Sequence, residues 1–388
     1  IGLMSFIIVG SLIYMITTIP ALVGDNPHIK FDKGQDFKHE PINAVENEEV
    51  ITGTSLTEKE LYIMKRNNLY GFIDQSGDFV IEPRYNELNP VFTEGVARVK
   101  TGNAYGYILE TGEIAVQPKF RDSSPIFSEG LAYAKIQNLY GFINKEGNVV
   151  IDFKYNVVHN FSEGLAAVKP DNKWGYINRN DKIVISPVFD DVRDFSEGKA
   201  SIKINNKWGY IDKTGNIVIN PQFNQAGGFS KGIALIKVGD EWSFINTSGK
   251  YITNMLFKNA LGFTEGVSPV MFANKWGYLD RNGDLIIKFQ FDYAGNFSEG
   301  LAPVRVEKKW GYIDKTGKMV INPQFDIAEP FKEGLAVVKV IDKEGYINRD
   351  GKYLVAPKYT DASSFDKGIA KVELENKIGY IDKTGKYL

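Results

Sequence analysis

The sequence predicts an all-β fold built as a tandem array of about ten repeats, and three observations predict it. A short motif, aromatic-Gly-aromatic-Ile in most copies, returns at Tyr70, Tyr105, Tyr140, Trp174, Trp208, Trp242, Trp276, Trp310, Glu344 and Ile378, 35 residues apart twice and 34 thereafter. A period held that closely marks internal duplication. The composition adds 38 Gly, 25 Phe and 20 Tyr with no Cys, which suits short aromatic strands separated by glycine turns. Within a unit, Ala302, Val304 and Val306 alternate with Leu301, Pro303 and Arg305, the period of a half-buried strand.

From the N-terminus, residues 1–23 carry no charge. As a helix rising about 1.5 Å per residue they would cross a hydrocarbon core of about 30 Å, so one transmembrane helix is expected there, retained as an anchor or cleaved as a signal segment. Residues 24–60 turn polar, as in Glu46-Asn47-Glu48-Glu49, and read as a stalk. Thr57-Glu58-Lys59-Glu60 would fit a helix capping box, but Leu61-Tyr62-Ile63-Met64-Lys65 occupies the place of Leu131-Ala132-Tyr133-Ala134-Lys135, which sets the start of the array at Leu61. The array then covers 61–388.

Each unit has its own order of elements. A strand leads into a hairpin, where Asp212-Lys213-Thr214-Gly215 suits a type I turn followed by a glycine at positive φ. A Pro-x-aromatic step follows, as at Pro187-Val188-Phe189 and Pro221-Gln222-Phe223, with proline where no ladder donor is needed. A Phe-x-Glu-Gly corner closes the unit, as at Phe161-Ser162-Glu163-Gly164 and Phe195-Ser196-Glu197-Gly198. A unit this small buries too little apolar surface to fold alone, so its neighbours must supply the rest. The chain has ten hairpins and only nine following corners. That count, with units shorter than the 40 to 45 residues or so of a common propeller blade, favours an open twisted solenoid or superhelix. A closed propeller-like ring is the alternative.

Lys173-Trp174-Gly175-Tyr176-Ile177, Lys207-Trp208-Gly209-Tyr210-Ile211-Asp212 and Lys309-Trp310-Gly311-Tyr312-Ile313-Asp314 resemble the WG, or KWG, repeat family. The resemblance covers the whole array. It implies a β-rich repeat, often on secreted or membrane-attached bacterial proteins, and no defined activity. Ser243, Met255, Glu344 and Ile378 depart from the motif, and Ser243 with Met255 in one unit suggests a bend.

The net charge of -2, with acids and bases interspersed, gives no footprint for nucleic acid. His28 and His39 lie in the stalk and His159 alone in the array, where it reads as a surface-loop residue, so neither a histidine triad nor a metal site is assigned. Glu94, Glu129, Glu163, Glu197, Glu265, Glu299 and Glu333 recur with the period, and Lys231 replaces one. A catalytic carboxylate pair would be an exception inside an array, whereas a residue present in nearly every unit serves the unit. The binding candidates are the aromatic ladder of Trp174, Trp208, Trp242, Trp276 and Trp310, whose rings could stack on sugars or anchor a protein, or else fill the core between units. No cofactor is expected.

The sequence therefore points to a non-catalytic, membrane-tethered repeat protein outside the cytoplasmic membrane, presenting an extended surface to a protein or a cell-wall glycan. An architectural spacer without its own ligand is the second expectation, and a carboxylate-based glycan hydrolase the third.

Overall fold

The computed structural model describes residues 61–388 apart from 75 and 376, together with the backbone of two strands, Ser5–Val9 and Leu12–Ile16. The array forms ten antiparallel sheets, each made of consecutive strands, arranged as the blades of a closed ring. The fifth blade shows the pattern: a two-residue strand Asp191–Val192, then Lys199–Ile204, Lys207–Asp212 and Ile217–Phe223. Among the described residues the first blade lacks the short strand and begins at Tyr62–Arg66. The tenth ends at Lys377–Asp382 with a single bridge to Tyr387.

Three turns build each blade. Asn205 and Asn206, at φ 49° and 63°, form a two-residue turn of the type I′ kind, whose twist matches that of the strands it joins. The Asp212 turn is as its sequence predicts: the Gly215 amide donates to Asp212 O at 3.0 Å with Gly215 at φ 89°. The Asp212 carboxylate accepts the amides of Thr214 and Asn216 at 2.9 and 3.0 Å. The Phe-x-Glu-Gly corner is itself a two-residue hairpin. Ser196 and Lys199 exchange backbone hydrogen bonds of 2.9 and 3.1 Å across Glu197 and Gly198, both at positive φ.

The core lies between blades. Trp174, Tyr176, Ile185 and Phe189 of the fourth blade pack against Val192, Phe195, Ala200 and Ile202 of the fifth. The motif tyrosine binds the next blade by a second means, its hydroxyl donating to a backbone carbonyl: Tyr176 to Arg193 O at 2.7 Å, Tyr210 to Gly227 O at 2.8 Å, Tyr312 to Glu329 O at 2.7 Å. Burial pushes these phenols well above their ordinary range, so they stay protonated donors.

Two expectations are overturned. The array is a closed ring and not an open solenoid, because the tenth blade treats the first as its next neighbour. Tyr380 donates to Ile63 O, Tyr62 donates to Lys367 O at 2.6 Å, and Tyr62, Ile73, Ile369 and Tyr380 form one apolar cluster. The missing corner does not prevent closure, since the motif tyrosine finds another carbonyl. A blade with only a two-residue first strand is also smaller than those from which the usual blade count is drawn. The expected membrane helix is not found either: Ser5–Val9 and Leu12–Ile16 are paired antiparallel strands. The run is rich in Ile and Val, which suit a strand. Among the described residues no helix is long and apolar enough to cross a membrane. The rest of 1–23 and the 24–60 stalk, with His28, His39 and the Thr57–Glu60 segment, lie outside the described residues.

Candidate functional site

The five tryptophans are the first or second residue of the third strand in blades four to eight, and the fold surrounds them. Trp174, Trp208 and Trp276 are buried, 7%, 7% and 3% exposed, while Trp242 and Trp310 are half-buried. Each lies opposite a phenylalanine of the fourth strand, as Trp208 does with Phe223 and Trp276 with Phe291. The residue facing it on the second strand is most often a cation, and that cation covers the ring. Lys169 lies over Trp174, Lys237 over Trp242 and Arg305 over Trp310, at 5.8, 5.5 and 5.9 Å, and Lys65, Lys100 and Lys135 repeat this over Tyr70, Tyr105 and Tyr140. The recurring lysine one register step across was the signal in the sequence. The substitution at Glu344 follows the same logic, since Lys339 faces it across the strands and its carboxylate accepts the Ala362 amide at 2.7 Å.

The motif glycine answers to its own blade's fourth strand and not to a neighbouring ring. A Cβ on Gly209 would meet Ile219 O at 2.5 Å and Pro221 N at 2.6 Å, because the fourth strand bulges and crosses directly over the glycine. Proline stands at this crossing in most blades, and Phe153 and Phe289 take its place over Gly141 and Gly277. In the sixth blade glycine and proline are both replaced, by Ser243 and Met255, and the regular fourth strand is reduced to two bridges, Trp242 to Phe257 and Ile245 to Tyr251.

The corner glutamates have a repeated task. The carboxylate of each accepts the corner glycine amide of the next blade: Glu94 that of Gly130 at 3.0 Å, Glu163 that of Gly198 at 2.9 Å, Glu197 that of Gly232 at 2.8 Å. Such charge-assisted bonds offset the cost of holding a glutamate at positive φ. Among the described residues no group of three or more His, Asp or Glu side chains is placed to hold a metal ion.

His159 is not a surface-loop residue. It lies in the strand Val157–Ser162, half-buried, with its ring 4.7 Å from that of Trp174 and its Nδ1 2.8 Å from Asp194 Oδ1 in the next blade. Burial pulls its pKa down, but the charge and hydrogen bond of Asp194 outweigh burial and hold it above the ordinary histidine value. Beside it Asn160, 3% exposed, leaves both amide atoms without a hydrogen-bond partner among the described residues, as does the hydroxyl of buried Ser201 in the fifth blade. Arg193 lies with its guanidinium 5.4 Å from the Trp208 ring. Blades four to six thus hold an interblade His159–Asp194 pair, the buried Asn160 amide and the ring faces of Trp174 and Trp208, while other departures from the repeat, such as Glu344 and Lys367, stand elsewhere in the ring.

Comparison with known proteins bears on the fold more than on this sector. A family model described as a WG containing repeat matches residues 70–103, 105–140, 140–174, 174–208, 208–242, 242–276, 276–310, 310–343 and 345–377. No curated protein matches the chain. Among solved structures, one of the eukaryotic initiation factor is 10% identical, with a TM-score of 0.52 over 86% of this chain and 95% of its own, a likeness of fold alone. PorZ, a bacterial surface component of the type-IX secretion system of Porphyromonas gingivalis, is 9% identical with a TM-score of 0.31 over 79% of this chain, which spans about half (51%) of PorZ. Hsv2p of Kluyveromyces lactis is 8% identical with a TM-score of 0.32, over 58% of this chain and 91% of its own.

Proposed function

Since this chain belongs to the family of WG-containing repeats, we propose that it is a non-catalytic binding scaffold outside the cytoplasmic membrane, kept near the membrane by its apolar first 23 residues and presenting the ring to a protein or a cell-wall glycan. One observation carries this reading. The repeated residues are consumed by the fold, the glutamates on backbone amides and the tryptophans in packing, while Lys231 and Ser243 break the repeat in the sixth blade and His159, Asn160 and Asp194 fill its variable positions on the two blades before it. A conserved architecture with a local set of exceptions is how a repeat protein carries a binding site.

The test is a pull-down with the full chain against solubilised cell-wall glycan and, separately, a surface-protein extract. Asp194→Ala with Asn160→Ala is expected to reduce retention severalfold with folding intact, whereas Trp208→Ala lowers the melting temperature, since truncating a buried tryptophan costs about 3–5 kcal/mol. Retention from neither fraction would favour the architectural spacer.

A further inference from the structure

We infer that the corner between the sixth and seventh blades is a carboxylate-binding site whose ligand is an acidic side chain of a protein partner. This rests on the scaffold reading and names a site and a chemistry for it. The ring displays the reference geometry seven times. Glu94, Glu129, Glu163, Glu197, Glu265, Glu299 and Glu333 each place a carboxylate on the corner glycine amide of the following blade. In four of these the following blade's hairpin turn adds a cation: Lys145 to Glu94 at 3.0 Å, Lys213 to Glu163 at 3.1 Å, Lys315 to Glu265 at 3.1 Å and Lys383 to Glu333 at 2.8 Å. A corner is thus a backbone amide and a turn cation converging on one carboxylate.

At the step from the sixth to the seventh blade the giving residue is Lys231, yet the receiving half is intact. Gly266 keeps its positive φ of 85°, and the Thr264 amide donates to Val267 O at 2.9 Å as in the other corners. Arg281 holds the turn position of Lys213, Lys315 and Lys383, and its guanidinium donates to the backbone carbonyls of Lys231 and Ser230. No carboxylate of the described residues reaches the Gly266 amide, and the buried Thr264 hydroxyl has no partner among them. Gly266 is exposed and Arg281 is half-buried, so the Gly266 amide is open to a partner.

The corner is also preorganised. Glu197 accepts the amides of both Lys231 and Gly232, fixing the chain that carries Lys231. A free backbone amide with a guanidinium on the same corner favours an anion. The seven sister corners specify which: a carboxylate on a glutamate stem. Each sister corner is filled by a glutamate of the chain itself, which favours a protein glutamate over a free anion.

The test follows the Gly266 amide by NMR in the ¹⁵N-labelled full chain, titrated with acetyl-Ser-Glu-Gly-amide. A saturable shift at Gly266 is expected, with none from acetyl-Ser-Gln-Gly-amide. Arg281→Gln is expected to weaken binding about tenfold, the size of one charge-assisted hydrogen bond. Lys231→Glu supplies the missing carboxylate from within, so it should abolish the shift and raise the melting temperature. A silent Gly266, an equal response to the glutamine peptide, or Lys231→Glu binding like the native chain would each overturn the site. Stronger binding of inorganic phosphate or glucuronate would overturn the protein side chain as its ligand. If Gly266 is silent while the pull-down retains a partner, this inference fails and the scaffold reading stands.

Discussion

His159 and Asp194 are 35 positions apart in sequence, in equivalent regions of neighbouring blades, and their ion pair spans the boundary. Asp191 and Arg193 also face the imidazole, the first favouring its charged form and the second opposing it. A histidine whose folded pKa is raised adds stability that is fully present below its unfolded pKa of about 6.5 and is lost as pH rises through the folded value. The melting temperature should therefore fall by a few degrees as pH rises from slightly acid to slightly alkaline, and His159→Gln should flatten that slope. An unchanged slope in the variant would remove the pair from any role in holding the blades together. The sequence could not show this contact. Position 159 has no fixed residue type in the repeat, and its partner comes within reach only when one blade is set against the next. The Asp212 turn was legible for the opposite reason, since every partner of its carboxylate lies within four residues.

A strand crossing another needs the glycine above all, since Phe153 and Phe289 stand in place of the proline in the third and seventh blades with the crossing intact. Gly209 leaves room for the backbone at Ile219 and Pro221, and Pro221 has no amide hydrogen to lose in the bulge. The simultaneous loss of both residues in the sixth blade was visible in the sequence as a weakened unit; that it displaces one strand while the ring continues was not. Ser243 in that blade directs its hydroxyl to Met255 O at 3.3 Å, a contact the regular blades have no room for. Restoring the pair, Ser243→Gly with Met255→Pro, should rebuild the fourth strand, and hydrogen exchange at Thr253 should slow. Ser243→Gly alone should recover most of this, as in the blades that pair a glycine with Phe153 or Phe289, and Met255→Pro alone should gain little, the excess of the double change measuring their coupling. Simple additivity would mean that the two positions act separately. The converse, Gly209→Ala, should be among the most damaging single changes in the array.

Closure is a property of the whole ring, set by the angle between blades, which no local pattern of residues encodes. The repeat, its turns and its proline steps could therefore be read from the chain, and the ring could not. At the junction the contacts are the ordinary ones between blades, a tyrosine hydroxyl on a carbonyl and a small apolar cluster. Ile369→Ala with Tyr380→Phe should loosen this joint first: small-angle scattering should show a larger radius of gyration while circular dichroism still reports strands. The equivalent pair at the Tyr210 boundary should lower the melting temperature without expanding the particle. An elongated native particle would contradict the closed ring outright. Because every sheet is drawn from consecutive strands, among the described residues no blade is stitched from the two ends of the chain. The order of the blades is thus fixed by covalent succession while their number is not. Gain or loss of one whole unit by unequal recombination would leave every remaining sheet intact and redistribute only the small tilt between neighbours, so copy number is the dimension along which such a gene can change most freely.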